Sequence, residues 1–239
     1  MTPSDIDRVR NEFPGRVIDY FASVDSTMHA AAGRAPGYVV IAGEQTAGQG
    51  RHGHGWHSAA GSGLYCSLVL ERRPVLTLTL GLATADALAR AAGVECDLRW
   101  PNDVMLGGKK VAGILVQLSG ATAVAGIGIN LHHTAFPADL EAIATSLKTH
   151  TDQEPDAAGV LIALLRAVDR YAPESPENIL HLFTRASSYA CGRRVRVEQA
   201  DGIIVGTTAG LDVSGFLMVR KDDGTDTLIV AGGVRAAGS

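Results

Sequence analysis

The stretch that most constrains this chain is residues 44–67, where six glycines, three histidines, one arginine and one tryptophan fall between two apolar runs. A segment so rich in glycine has no continuous side-chain face to bury and loses more backbone entropy on ordering than most sequences. Long loops inside a domain are commonly functional. Gly48, Gly50 and Gly53 let backbone N–H groups approach an anion, and Arg51 among them adds fixed charge on a planar donor fork. Trp56 offers a flat apolar face. The segment is predicted to be a flexible loop that closes over an anionic, ring-containing ligand; a mobile surface loop without a ligand fits the same residues. The glycines also match G-x-G-x-x-G, but a dinucleotide site needs a helix opening at the loop. Residues 52–63 have no helical period, so that reading is set aside.

Around this loop the pattern predicts an α+β fold. A short helix begins near Ser4 or Asp5 and stops at Pro14-Gly15, followed by a strand through Val17, Ile18 and Tyr20. Strands are expected at 38–42 and 64–70, then a long helix at 76–92 closed by Gly93 and a strand at 94–100. Gly107-Gly108 between two short apolar arms has the chemistry of a tight hairpin turn. Strands at 113–118 and 123–131 follow, then helices at 156–171 and 176–190. Together they suit one mixed or antiparallel sheet covered by helices. Beyond Cys191, short apolar runs alternate with turns at Asp201-Gly202, Ser214-Gly215 and Asp223-Gly224, which predicts a small β-barrel. The chain is therefore divided into residues 1–188 and 189–239.

A net charge of −4 argues against broad sequence-independent nucleic-acid binding, so any anion must be held locally. Cys66, Cys96 and Cys191 are odd in number and far apart, which suits free thiols in a reducing compartment. The first residues contain no apolar run suited to a signal peptide, and no segment is apolar enough to span a membrane; a cytoplasmic protein is expected. The spacing of His52, His54 and His57 fits neither a helical zinc pair nor a Cys/His module. P-loop and nucleophile-elbow motifs are absent.

Three further groups carry polar chemistry. Asp25-Ser26-Thr27 precedes an alanine-rich run, with Gly33 as the expected C-cap; its side-chain oxygens suit an N-cap, and the free N–H groups of the helix start can also receive a ligand's polar atoms. Asn102 and Asp103 leave a strand end through Pro101, a common place for site residues. Strand alternation allows only one of Lys109 and Lys110 to share their side, although a solvated hairpin arm fits both lysines. The glycines of Gly126-Ile127-Gly128-Ile129-Asn130 mark a bulge, close packing or the approach of a ligand to a strand. The Asn130 amide is suited to a heterocycle edge.

Taken in order, Ser26-Thr27, Q-T-A-G-x-G-R-x-G, W-P-N-D with G-K-K-V-A-G-I-L, and G-I-G-I-N resemble the biotin–protein ligase family over residues 20–131. The resemblance implies a catalytic core like that of class II aminoacyl-tRNA synthetases and a C-terminal SH3-like barrel. It implies that biotin and Mg-ATP give biotinyl-5′-AMP and pyrophosphate, and that a lysine of a biotin carboxyl carrier domain then takes biotin and releases AMP. It allows a homodimer and involves neither DNA nor a membrane; about 20 residues precede the first core strand, too few for the helix-turn-helix of the repressor members.

By the same resemblance, Ser26, Thr27, Gln45 and Gly48 belong to the biotin site, with backbone contacts from Gly113 and Leu115 to the biotin tail. Arg51 and Lys110 grip carboxylate and phosphate from opposite sides. Trp56, Asn102 and Asn130 surround adenine and ribose, and Asp103 receives the acceptor lysine. Mg2+ accompanies ATP, with no ligands assigned to it. The chain departs from the family pattern at Met28, where asparagine is usual, at Gln49, where arginine is common, and at Gln117, where glutamate is frequent. His52 and His54 also stand at positions that are often basic. Two other readings stay open: a biotin- or nucleotide-binding module without ligase activity, and a lipoyl or octanoyl transfer enzyme.

Overall fold

The computed structural model describes residues 1–199 and 202–237. A capping box between Thr2 and Asp5 starts α1 (Pro3–Glu12), slightly earlier than the sequence suggests. The parallel strands β1 (Ile18–Phe21) and β2 (Val39–Ala42) are joined through α2 (Thr27–Ala31). This helix is capped by Ser26 at its start and by Ala32 at its end, so Gly33 lies one residue beyond the C-cap. Antiparallel neighbours then complete the sheet: β3 (Gly63–Glu71), β4 (Asp97–Arg99), β5 (Asp103–Leu106), β6 (Lys109–Ser119) and β7 (Thr122–Asn130). The order across it is β1-β2-β3-β7-β6-β5-β4.

Three expectations need correction. The strand at 94–100 contracts to β4, because Trp100 leaves the strand for the core, where it is buried and donates its indole N–H to the Gly215 carbonyl. The arm at 109–111 and the strand at 113–118 are one strand, β6. The second of the late helices stops at Ala186, where extended Ser187 donates its hydroxyl to the Leu98 carbonyl.

The two faces of the sheet are built differently. On one, Leu64, Cys66 and Leu68 of β3 and Ala125, Ile127 and Ile129 of β7 meet the buried sides of α3 (Leu76–Ala92) and α4 (Ala157–Tyr171). Leucines 161, 164 and 165 of α4 recur at helical spacing and are fully buried there. α5 (Pro176–Ala186) adds Phe183 and Ile179 to the same core. On the other face only a small cluster forms, of Met28, Ala31, Val40, Val69 and Val124. The rest of that face carries the glycine loop.

The Gly107-Gly108 turn has φ of 57° and 79°, the left-handed pair that a two-residue turn requires. Val75, just before α3, also has positive φ, which nothing in the sequence signals. The C-terminal residues form a separate five-stranded antiparallel sheet: β8 (Cys191–Gln199), β9 (Gly202–Leu211), β10 (Leu217–Lys221), β11 (Asp226–Ile229) and β12 (Gly233–Ala236). Its order, β11-β10-β9-β8-β12, returns the last strand to the first. Asp201 of the expected Asp201-Gly202 turn lies outside the described residues. Among the described residues, no helix is long and apolar enough to cross a membrane.

Candidate active site

The site lies on the sheet face opposite α3 and α4, in an open cleft beside α2. Its floor is made where the sheet has no side chains. A Cβ on Gly126 would fall 2.8 Å from the Met28 sulfur, and one on Gly128 would fall 2.4 Å from the Trp56 ring. Gly113 is equally close, 2.8 Å from Trp56 and from the Lys110 chain. The glycines at 113 and 128 therefore seat Trp56, and Gly126 seats Met28.

One end of the cleft is an oriented polar chain. The Gln45 Oε1 accepts from the Thr27 N–H at 2.8 Å and from the Thr27 hydroxyl at 3.0 Å, while its Nε2 donates to Ser58 Oγ at 2.9 Å. Ser67 donates to Thr27 Oγ1 at 2.8 Å. Ser26 and Thr27 are buried, and Ser26 Oγ accepts from the Met28 N–H as the cap of α2. Because every member has a partner within the protein, this end presents fixed donors and acceptors rather than rotating ones. Ser58 and Ser67 had no place in the sequence reading; a single serine inside the apolar run Leu64–Leu70 was the available signal for Ser67.

The opposite end is cationic. Lys110 Nζ lies 2.6 Å from Asp103 Oδ1 and 5.2 Å from the centre of the Trp56 ring. Asp103 Oδ2 also accepts from Arg99 Nη2 at 2.7 Å. Burial opposes ionisation of Asp103, yet the Lys110 and Arg99 charges and hydrogen bonds outweigh it and hold its carboxyl below the usual range. Arg51 Nη1 donates to Asn102 Oδ1 at 3.1 Å. Burial lowers the pKa of Arg51, and the Asp103 charge opposes the shift. Asn102 is fixed in turn by its Nδ2 on the Ile114 carbonyl at 2.9 Å and by its own carbonyl on the Ile114 N–H at 3.0 Å.

Lys110, not Lys109, faces the cleft, and the reason is a β-bulge. Val104 pairs with Ala112 but Met105 pairs with Lys110, which leaves Val111 as the extra residue of β6. Val111 and Ala112 both join the helix-covered core, and the alternation resets so that Lys110 shares the side of Gly113 and Leu115. The Lys110 backbone N–H and carbonyl are taken by Ile143 and Thr145 of the long connection after β7. Lys109 instead reaches outward to the Glu141 carbonyl.

The glycine loop is folded rather than open. Gly50 N–H donates to the His54 carbonyl at 2.7 Å and Trp56 N–H to the Gly48 carbonyl at 2.9 Å, closing a small hairpin with a 3₁₀ turn at Arg51–Gly53. Gln49 meets His29, whose Nδ1 lies 2.9 Å from Asp25, and it also meets Gln117. No longer helix opens from this loop. The indole nitrogen of Trp56 is buried without a hydrogen-bond partner among the described residues.

Ser26, Thr27, Gln45, Arg51, Trp56, Asn102, Lys110, Gly113 and Leu115 all line the cleft. Three expected site residues lie outside its lining. Gly48 sits behind it, where a Cβ would meet the Trp56 carbonyl at 2.6 Å. Asp103 stands behind Lys110. Asn130, at the end of β7, is buried and donates its amide to the Thr145 carbonyl at 2.9 Å. Met28, known from the sequence only as a departure, is part of the floor. Burial pushes the Cys66 and Cys96 thiols up to about 12, so neither is a thiolate nucleophile.

Comparison with known proteins gives the same placement. Residues 20–133 match the model of the biotin/lipoate A/B protein ligase family, and residues 190–234 match the biotin protein ligase C-terminal domain. The biotin–[acetyl-CoA-carboxylase] ligase of Mycobacterium tuberculosis is 34% identical over 91% of this chain and 88% of its own. The bifunctional ligase/repressor BirA of Bacillus subtilis is 34% identical over 86% of this chain and 69% of its own. The biotin protein ligase of Aquifex aeolicus, solved with biotin and ATP, superposes with a TM-score of 0.84 at 29% identity, covering 92% of this chain and 99% of that one. With this cleft, this sheet order and these matches, the chain belongs to the biotin/lipoate A/B protein ligase family, among its biotin protein ligases.

Proposed function

We propose that the cleft joins biotin to ATP and then hands biotin to a lysine of a biotin carboxyl carrier domain. The observation that carries this reading is one cleft lined by two chemically different groups: neutral Thr27 and Gln45, fixed from behind by Ser67 and Ser58, and a cationic Arg51–Lys110 pair. The first suits a ureido ring, which needs both donors and acceptors, and the second suits a carboxylate beside a phosphate.

In the first step a biotin carboxylate oxygen attacks the α-phosphorus of ATP. The bond to the β-phosphate oxygen breaks, and biotinyl-5′-AMP and pyrophosphate form. Negative charge gathers on the phosphoryl oxygens, where Arg51 and Lys110 stabilise it without a covalent protein intermediate. In the second step the acceptor lysine docks as an ammonium beside Asp103 and gives one proton to solvent; the free amine attacks the biotinyl carbonyl carbon, the bond to the phosphate oxygen breaks, AMP leaves, and the amide nitrogen sheds its second proton to solvent. Trp56, seated against Gly113 and Gly128, and Asn102 accompany the nucleotide. Asn130 completes the nucleotide site once its bond to Thr145 is exchanged. Gly48 shapes the biotin end by holding the loop hairpin closed. Gly113 and Leu115 line the tail.

Among the described residues, no group of three or more His, Cys, Asp or Glu side chains could hold a metal ion. Magnesium enters with ATP as the Mg-ATP substrate; no protein ligand is assigned to it, and no step is routed through it. We assign residues 1–188 to a catalytic unit of the class II synthetase type and 189–239 to an SH3-like barrel. The strand order that brings β12 back beside β8 supports the latter. The free cysteines support a reducing, cytoplasmic setting.

Incubation of the purified protein with biotin, Mg-ATP and a biotin carboxyl carrier domain should give a mass increase of one biotin on the carrier. A carrier whose acceptor lysine is replaced by arginine should gain nothing. Equal labelling of both carriers, or labelling with lipoate instead of biotin, would refute the assignment.

A further inference from the structure

Arg99 does not line the cleft, and neither the resemblance nor the reaction assigns it a role, yet it controls the partner of Lys110. It stands directly across from Asp103 in the β4–β5 pairing and holds that carboxylate by Oδ2, through Nε at 3.2 Å and Nη2 at 2.7 Å. Only Oδ1 remains for Lys110, at 2.6 Å. The side chains of Arg99 and Asp103 are 19% and 15% exposed, so the carboxylate is largely out of water. The short strand bearing Arg99 is itself fixed: Ser187 donates to the Leu98 carbonyl, Ser188 to the Asp97 carboxylate, and the Trp100 indole N–H to the Gly215 carbonyl at 2.9 Å.

We infer that Arg99 is a positioning residue for adenylate formation: it stays with Asp103 as a permanent counter-charge, so that Lys110 is free to move to the reacting anion. The inference rests on the ligase reading above. With Arg99 present, departure of Lys110 leaves a neutral, hydrogen-bonded Asp103–Arg99 pair. Without it, departure would strand a buried carboxylate, which costs far more than the pair itself contributes. Lys110 would then stay on Asp103, and the cleft would lose one of its two cations. Lysine suits the moving role because its charge rides on a flexible stem, whereas the rigid arginine fork suits the fixed one.

Biotin-dependent ATP–pyrophosphate exchange of R99Q, R99K, D103N and D103N/R99Q tests this. R99Q should lower kcat about fivefold or more, with the KM for ATP within about twofold of wild type, because Arg99 is not among the residues that line the cleft. R99K, which keeps the charge, should recover most of the rate. In the D103N background, R99Q should change nothing further, since no carboxylate is left to hold Lys110. That double variant contains no stranded charge, so the comparison stands even if R99Q alone fails to fold. Wild-type exchange by R99Q, or an equal loss on adding R99Q to D103N, would overturn the inference. Absence of exchange in the wild-type protein would instead refute the ligase reading.

Discussion

The two faces of the seven-stranded sheet obey different rules. The helix-covered face is filled by side chains such as Leu64, Ile127 and Ile129 against Leu161, Leu164 and Leu165. The cleft face omits side chains at 113, 126 and 128 and fills the space with Trp56, brought by a loop, and Met28, brought by a short helix. One face is built for burial and the other for approach. β7 serves both, with Ile127 and Ile129 pointing one way and Gly126 and Gly128 the other. The consequence is a separation of labour, in which stability resides on one side and chemistry on the other.

Substitutions can break this separation, beginning with the largest effect. Leu165→Ala should lower unfolding stability by about 2–5 kcal/mol, read by urea denaturation, while the remaining folded protein keeps its specific activity. Unchanged stability would mean that the helix-covered face is not the main core. Arg51→Ala and Lys110→Ala should do the reverse, slowing adenylate formation at least tenfold, or ~1.4 kcal/mol, with little change in melting temperature. Near-wild-type rates in either would place the cationic end elsewhere. Trp56→Ala should mainly raise the KM for ATP, by about threefold or more, and an unchanged KM would remove the ring from the nucleotide site.

The smallest expected effect concerns His133, which stacks on Phe136 near His57. Burial, then the neighbouring His57 and His132, push its pKa down from 6.5 to about 4. Between those values the unfolded chain binds the proton and the folded one does not. Stability contributed by neutral His133 is thus full above pH 6.5 and is lost as pH falls towards 4. Melting temperatures of His133→Phe should depend less on pH across that window; an unaltered slope would assign the dependence to other groups.

Much of the helix-covered face was legible in the sequence, because regular burial leaves a regular trace. The 3.6-residue period of α4, the Gly93 stop of α3 and the Gly107-Gly108 turn all announce themselves locally. The cleft was legible as a set of residue types, and the glycines at 126 and 128 correctly signalled close approach. Its geometry was not. Which lysine faces inward depends on the bulge at Val111, a pairing offset that leaves no mark in the order of residues. The hold of Arg99 on Asp103 depends on β4 and β5 being registered, and the short β4 is fixed by contacts from residues 187, 188 and 215. The connection after β7, which closes the Lys110 backbone, has no period to read. Such features come from tertiary pairing, where local propensity is silent.

The most direct measurement is ATP–pyrophosphate exchange by the purified protein with magnesium, first with biotin and then with lipoate as sole acid. A cleft with a ureido-suited end and a cationic end should support exchange with biotin and not with lipoate. Exchange with lipoate, or tight biotin binding without any exchange, would contradict it.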